Sequence, residues 1–530
     1  MKRPLGAQIS HMLKARGVDV IFGIPGVHNV EMYRGIEEAG ITHVLARNEM
    51  GAGFMADGYA RASGRPGVLY VITGPGLTNA MTPLGQADSD SVSVLAISSC
   101  LDEVAATKGQ LHQMRDQRAA AACVTAASDE ARNAESAYRL IDRAFEAFAV
   151  DRPRPRHIQV PIAELGRLAV APPAARARSA RASASHDQIT QVATRLLAAQ
   201  RPLFVFGGGA VKGADAVPHL LQQTGAAALT TYAGRGIVPP GHPQSFGASL
   251  ARPETADIAA QADLVIAVGT ELSEVDLWRS HLGHTAPMIR VDIDAAIFDG
   301  LQEGDTGILG DAAQFLPALS LAIAARTGDC APKWDLLEIA DTKARFRAET
   351  EAERPGIARI ADALSAAMPR DLMVYSDMTQ FAYVAKEIWE MQRPGHWHHP
   401  FGYGTLGYGM PAAIGGAVAR AGMPTLAMVG DSGFQYTLQE LGTAVELGLG
   451  LPILLWDNGK LKEIEDSMVA SQIAPNAVVA RNPDFLALAR AYGAHATQPC
   501  DLNALISDIN AAFTADVPTL IRVTPAIKNS

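Results

Sequence analysis

Residues 425–460 read TLAMVGDSGFQYTLQELGTAVELGLGLPILLWDNGK, and one arrangement occurs in them twice. The apolar run Thr425–Val429 stops at Gly430-Asp431-Ser432-Gly433, and a helical pattern through Leu438, Leu441 and Val445 follows. The next run, Pro452–Trp456, stops at Asp457-Asn458-Gly459-Lys460. Strand, helix and strand in this order predict neighbouring parallel strands, so both turns fall at the same end of a sheet. Glycines at such a turn let the backbone approach a pyrophosphate, and a helix N-terminus favours its negative charge. Asp431 can ligate a hard cation, and the Asn458 carbonyl oxygen with a main-chain carbonyl completes an oxygen-rich Mg²⁺ shell beside the phosphates. Either turn alone is an ordinary strand-to-helix connection. The pair, at adjacent strand ends, carries the reading.

Outward from this unit, short β-branched runs alternate with amphipathic stretches. Val20–Phe22, Thr42–Ala46, Gly67–Ile72, Val92–Ser98 and His157–Pro161 are strand candidates in a first block, the last of them closing it. Pro202–Phe206, Ala227–Thr231, Leu264–Gly269 and Met288–Ile293 form a second, and Leu372–Tyr375, Thr425–Val429, Pro452–Trp456 and Thr519–Val523 a third. This alternation implies an α/β protein of three domains, residues 1–170, 188–326 and 356–530, with mostly parallel sheets flanked by helices. Blocks one and three match in size and pattern. Ala171–Gln188, rich in Pro, Ala, Arg and Ser, reads as a connection, and Thr327–Arg354 as a bridge onward. Gly207-Gly208-Gly209 lacks the dinucleotide fingerprint and reads as a turn, and no P-loop signature occurs.

The 530 residues carry Lys+Arg 45 against Asp+Glu 55, a net charge of -10, with 48% apolar residues. Wholesale disorder is excluded, and polyanion binding is disfavoured. The basic clusters Arg152–Arg156 and Arg176–Arg181 sit in Pro- or Ala-rich joins without interleaved aromatics and read as solvated linkers, so no nucleic-acid partner is expected. Cys100, Cys123, Cys330 and Cys500 form no CxxC pair, which removes support for a zinc or dithiol centre and favours a reducing, cytoplasmic setting. The N-terminal stretch has charges and glycine where a signal peptide needs an apolar run, and no stretch reaches the ~18 apolar residues of a membrane span.

With these motifs in place, the sequence resembles the thiamine diphosphate-dependent enzymes of the acetolactate synthase, pyruvate oxidase and 2-oxo-acid decarboxylase superfamily. Their cofactor motif begins GDG or GDx and ends NN; here Asp457 stands at the first Asn and Asn458 at the second. The resemblance implies thiamine diphosphate and Mg²⁺, the metal held by Asp431, Asn458 and the backbone oxygen of Lys460, with Gly430, Ser432 and Gly433 at the diphosphate. In FGYGTLGYGMPAAIGGAVA, Phe401–Ala419, it gives Gly404 a backbone contact to the pyrimidine amine. It makes Leu406 the wedge beneath the thiazolium that brings the 4′-amino group close to C2. Gln380, in SDMTQFAY, takes a diphosphate-contact position, with Phe381 where the family usually has His. HVLARNEMGAGFMADGYAR supplies Glu49, which would hydrogen-bond the pyrimidine N1′ and promote loss of the C2 proton; a partly desolvated carboxyl suits that exchange. ITGPGLTNAM, Ile72–Met81, also matches cofactor-lining sequence. Active sites in this family lie between the first domain of one subunit and the third domain of another, which implies a homodimer or homotetramer.

The substrate side is read from departures. Where acetolactate synthases usually have Phe-Gln-Glu, this chain has His112, Gln113 and Met114. A polar His112 implies a substrate or proton-transfer role unlike pyruvate carboligation, a loop-surface histidine being the plainer alternative, and His28 can approach the same centre. His396, His398 and His399 leave open a metal cluster, a pocket rim or an exposed loop. GKLKEIEDSM after Asn458 resembles relatives that act on 5-guanidino-2-oxopentanoate, where Glu463 or Glu465 would meet a cationic tail rather than lie on a helix surface. The acetolactate synthase tryptophan near this point is not evident, and Ser467 falls roughly there. The flavin-contacting Gly-Met-His-Gly is missing from GRGIVPPGHPQSFG, so no functional FAD is expected. The expected reaction is non-oxidative decarboxylation of a small polar 2-oxo acid to an aldehyde; the alternative is acetolactate synthase-like carboligation.

Overall fold

The computed structural model describes residues 2–529 except 103–108, 176 and 178, so Arg176 and Arg178 of the second basic cluster lie outside the described residues. The chain forms two compact units: Met1–Ser179, Leu372–Gln380 and His398–Ser530 in one, Ala180–Asp371 and Phe381–Trp397 in the other.

The N-terminal sheet runs Thr42–Leu45, Val20–Gly23, Gly67–Val71, Val94–Cys100, Arg156–Pro161, Ala127–Glu130, every neighbouring pair parallel. Numbered along the chain, its strands lie in the order 2-1-3-4-6-5. The C-terminal sheet repeats that order with Trp397–His398, Met373–Ser376, Thr425–Gly430, Pro452–Trp456, Thr519–Val523 and His495–Thr497. The middle sheet differs: Ser245–Gly247, Ala227–Thr230, Pro202–Phe206, Leu264–Val268, Met288–Asp292 and Thr306–Leu309 are parallel in the doubly wound order 3-2-1-4-5-6. All three sheets are flanked by helices, as the alternation predicts. Central strands are buried on both faces: all seven residues of Val94–Cys100 are buried, which is why they read as unbroken apolar runs.

Several expectations are corrected. His157–Pro161 does not close the first block, because Leu168–Ala169 follows and pairs antiparallel with Arg3–Pro4. Thr327–Arg354 is mostly the helix Leu336–Glu353, whose buried Ile339, Thr342, Phe346 and Thr350 make a narrow stripe that a charged majority hides. The connection at Ala171–Gln188 ends early: Ser185 and Gln188 form a capping box that starts the helix His186–Ala198. The first basic cluster is tied down, with Arg152 on Ser91, Arg154 on Asp88 at 3.0 Å and Arg156 3.8 Å from Asp151. Gly207 is the turn its sequence suggested: a Cβ there would lie 2.3 Å from the Gly269 carbonyl oxygen, and a 3₁₀ turn follows. Among the described residues no helix is long and apolar enough to cross a membrane.

Within the first unit, helix Glu49–Ser63 packs on helix Gly409–Ala419 through small residues. A Cβ on Gly58 would fall 2.0 Å from the Ala412 carbonyl oxygen, and one on Gly415 1.9 Å from that of Met55. Tyr375 donates its hydroxyl to the Gly58 carbonyl at 2.8 Å, and Phe54 meets Tyr408 edge-on at 5.5 Å, so both sheets share one core. Helix propensity alone would make Gly58→Ala stabilising by about 1 kcal/mol. The backbone contact reverses the sign: Gly58→Ala is expected to destabilise by about 1–3 kcal/mol in chemical denaturation, as overpacked sites do.

Candidate active site

Two clusters form at strand ends of the first unit. The first surrounds the turn Gly74-Pro75-Gly76. Glu49 opens its helix behind Asn48, whose side chain accepts from the Met50 amide, and it is only 9% exposed. Its Oε2 accepts from Asn79 Nδ2 at 2.9 Å, and a Cβ on Gly76 would lie 2.7 Å from Ile72 Cγ2 and 3.2 Å from the carboxylate's Oε1, which leaves no free room for a side chain there. His28 and His112 meet edge-on at 4.9 Å. His112 has a left-handed backbone, φ 61°, and its carbonyl oxygen would lie 2.4 Å from a Cβ on Gly74. The Nδ1 atoms of both imidazoles are buried and have no partner among the described residues, an arrangement that favours binding a further polar group. Burial, then the neighbouring His112, lowers the pKa of His28. Gln113 does not join this pair: exposed, its side-chain oxygen accepts from the Gln110 amide in its own turn.

Groups that sequence reasoning passed over hold this turn and the approach to Glu49. Gln117 accepts from the Gly74 amide at 2.9 Å and donates to Ser98 Oγ and the Ser99 carbonyl. Ser98 bonds His157 Nε2 at 2.7 Å, and Ser128 bonds the other ring nitrogen. Burial drives the His157 pKa down to about 3, so the ring stays neutral in this chain of bonds. From the other sheet, Glu440 accepts the Arg47 and Asn48 amides at 2.8–3.1 Å and fixes the approach to Glu49.

The second cluster joins the two turns read first. Asp431 Oδ1 accepts from the Ser432 amide and Oδ2 from the Gly459 amide, at 2.9 and 2.8 Å, so its carboxylate seats against the Asn458–Lys460 turn. Asn482, which no local motif marks, donates to both Asp431 and Asp457. Asp457 also pairs with Arg522 at 2.7 Å. Burial pushes the Asp431 carboxyl above its usual range, opposed by these bonds. Asn458 Oδ1 lies 3.2 Å from the Lys460 amide. The Asp431 carboxylate and the Asn458 carboxamide oxygen at this turn are hard oxygen ligands, a chemistry that suits Mg²⁺. Gly459 (φ 74°) has nothing within 4 Å of a Cβ and Gly404 (φ 66°) only Met378 Cε at 3.7 Å, so the space beside each is open. The residues present therefore fit a Mg²⁺–diphosphate.

Behind this cluster, fully buried Asp377 accepts from the Met378, Gly407 and Gly409 amides and so holds the chain just after half-buried Leu406. A Cβ on Gly433 would come within 3.0 Å of it. Gln380 Nε2 donates to Glu463 Oε2 at 3.2 Å, whereas Glu465 is bound to Lys460 at 2.8 Å, whose ammonium holds its carboxyl below the usual range. The two glutamates are thus distinguished: Glu463 stands beside Gln380, and Glu465 braces the Asn458–Lys460 turn. His398 and His399 are buried, not on an exposed loop; His399 Nδ1 bonds Ser376, and no metal-binding cluster of His, Cys, Asp and Glu occurs among the described residues.

Comparison with known proteins agrees with this geometry. Models of the thiamine pyrophosphate enzyme N-terminal TPP binding domain, central domain and C-terminal TPP binding domain match residues 3–120, 189–319 and 377–523. The chain is 44% identical over 527 residues to a probable 2-ketoarginine decarboxylase of Pseudomonas aeruginosa, covering 98% of this chain and 93% of that protein. It is 30% identical to the acetolactate synthase isozyme 2 large subunit of Escherichia coli, covering 98% and 95%.

Two measurements follow from the site. In calorimetric titration with Mg²⁺ present, Asp431→Ala is expected to weaken thiamine diphosphate binding by on the order of 100-fold, since it removes a charged ligand and strands Asn482. Burial pushes the Asp377 carboxyl up to about 6, opposed by its amide donors. A raised acid pKa makes the ionised form costly in the folded state, so this group's penalty is full above pH ~6 and vanishes toward pH ~4. Wild type should gain about 3 kcal/mol relative to Asp377→Asn over that window, read as the difference between their unfolding free energies.

Proposed function

The chain belongs to the thiamine pyrophosphate enzyme family, and on that footing we propose that it decarboxylates 5-guanidino-2-oxopentanoate without oxidation, releasing CO₂ and the corresponding aldehyde. Action on 2-oxo acids with thiamine diphosphate, by decarboxylation or carboligation, is common ground for the relatives. The observation that carries the finer reading is Glu463, a half-buried carboxylate on the helix after the metal-side turn, set against Gln380. A carboxylate there offers a guanidinium a charge-assisted, two-point partner, and it has no use for the methyl group of pyruvate. 2-Ketoarginine, named in the Pseudomonas aeruginosa relative, is that guanidino acid.

Thiamine diphosphate, when bound, supplies a nucleophilic carbon for the 2-oxo carbonyl and a sink for the electron pair that CO₂ leaves behind. The chain supplies the rest. Asp431, Asn458 and the Lys460 carbonyl would hold Mg²⁺, and Gly430, Ser432, Gly433 and Gln380 the diphosphate. Leu406 and Gly404 shape the seat of the rings. Glu49, oriented by Asn79 and shielded from water, holds and moves a proton at the pyrimidine nitrogen. His28 and His112 hold a proton near the reacting carbon, where one proton must replace the lost carboxylate to give the aldehyde.

The active unit in this reading is a homodimer or homotetramer with each site shared between chains. Supporting it, apolar side chains beside both clusters are exposed: Val27 67%, Val30 53%, Ile464 50% and Val479 73%. A second copy would cover them.

The test is a product assay on protein loaded with thiamine diphosphate and Mg²⁺, with pyruvate or 5-guanidino-2-oxopentanoate supplied separately. Aldehyde and CO₂ from the guanidino acid with little pyruvate turnover is the expected result; acetolactate from pyruvate would overturn it in favour of carboligation. Glu463→Gln should raise KM for the guanidino acid by on the order of 10- to 100-fold, the worth of a charged hydrogen bond of about 1.5–3 kcal/mol.

A further inference from the structure

The loop Pro400–Tyr408 carries Gly404 and Leu406, and its own residues supply little of what holds it. Three buried side chains of the N-terminal block grip it from outside. Asp90, just past the helix Pro75–Ser89, accepts the Gly402 amide at 2.9 Å on Oδ1 and the Phe401 amide at 3.3 Å on Oδ2. Asp57, with a fully buried side chain, accepts the Tyr408 hydroxyl at 2.8 Å. Arg61 joins the two: Nε donates to Asp57 Oδ1 at 2.7 Å, Nη2 donates to Asp90 Oδ2 at 2.9 Å, and the guanidinium lies over the Tyr408 ring at 5.7 Å. The fit is close. A Cβ on Gly402 would meet Ser89 Oγ at 2.0 Å, and one on Gly85 would meet the Tyr403 ring at 2.8 Å.

The loop is therefore pinned where it begins, at Phe401 and Gly402, and where it ends, at Tyr408. Asp377 and Thr437 pin Gly407 from the other side. Leu406 sits between fixed points and is only half-buried. Two helices carry the grip, and nearer their other ends the same two carry Glu49 and its hydrogen-bond partner Asn79. Glu49 and Arg61 are twelve positions apart on one helix, about 18 Å along its axis at 1.5 Å per residue; Asn79 and Asp90 bracket most of the other. A change at Arg61 or Asp90 thus alters the loop without touching Glu49 or Asn79.

We infer that Asp57, Arg61 and Asp90 are positioning residues that set the height of the Leu406 side chain against the bound cofactor. The inference rests on the thiamine diphosphate reading and goes beyond it, because it assigns to buried N-terminal charges a role in the shape of a ligand held by the C-terminal sheet. A buried ion cluster that served stability alone could be replaced with loss of stability only. One that sets Leu406 changes the reactivity of the bound cofactor before any substrate is present.

The experiment measures exchange of the cofactor C2 proton with solvent deuterium, by acid quench and NMR, in full-length protein saturated with thiamine diphosphate and Mg²⁺. Cofactor affinity by calorimetry and Tm without cofactor accompany it. Leu406→Ala is the reference. Asp90→Asn, which keeps size but loses charge, is expected to slow exchange by on the order of tenfold or more at saturation, as small misplacements at reacting centres do. Tyr408→Phe, which loses one hydroxyl, should slow it several-fold, and Asp90→Asn combined with Leu406→Ala should add little to Leu406→Ala alone. If Asp90→Asn does not fold, Tyr408→Phe carries the same test by itself. Wild-type exchange rates in the folded variants, with only Tm lowered, would reduce the three residues to scaffold and overturn the inference. Failure of wild type itself to bind the cofactor or exchange the proton would overturn the thiamine diphosphate reading and this inference with it.

Discussion

The contact between helices Glu49–Ser63 and Gly409–Ala419 governs most of what lies around it. Gly58 against Ala412 and Gly415 against Met55 bring two backbones within the reach of a single missing Cβ, and no side chain could stand between them. Close packing of this kind tolerates little displacement, because interiors are as dense as organic crystals. It fixes the helix that begins with Glu49 relative to the one that follows the Leu406 loop, and merges two sheets into one core. The chemistry at either end of these helices inherits that rigidity.

Buried carboxylates are the second recurring element. Asp57, Asp90, Asp377, Asp431 and Glu440 are all withdrawn from water, and each is met by backbone amides, hydroxyls, a carboxamide or a guanidinium. Burial without such partners would cost several kcal/mol per charge, on the order of 3–5 when a partner is removed. Most of the amides they accept belong to the loops that carry the site: 401–409 for Asp90 and Asp377, 47–48 for Glu440, 459 for Asp431. Charge burial is thus converted into loop geometry.

What could be read in the sequence followed from period and from strand-end chemistry. The central strands were legible because burial on both faces makes them continuous apolar runs, and Asp431 and Asn458 because each stands where a parallel strand stops. The structure seats Asp431 against the Gly459 amide as that reading requires. The edge strands Ala127–Glu130 and His495–Thr497 were not legible, being short and partly polar where one side of the ladder is open. Asn482, Gln117, Glu440 and Asp90 were missed for a different reason: each acts across the fold on residues far away in sequence, and a single polar residue has no period. Asp377 and Asn79 stood inside quoted motifs, but their roles depend on which amide or carboxylate the fold brings to them. Gln113 shows the converse, a motif position whose side chain turns back into its own loop.

In the proposed function a single reaction uses both the Glu49 cluster and the Asp431 cluster, contributed by different chains. Complementation tests it directly. Chains carrying Glu49→Gln and chains carrying Asp431→Asn, each inactive alone, would be co-expressed with different tags and the mixed oligomers purified through both. Sites shared between chains leave one of every two intact in a mixed pair, so thiamine diphosphate-dependent turnover of the 2-oxo acid should return to about half the wild-type level. Mixed oligomers as inactive as either parent would contradict the claim and place the whole site within one chain.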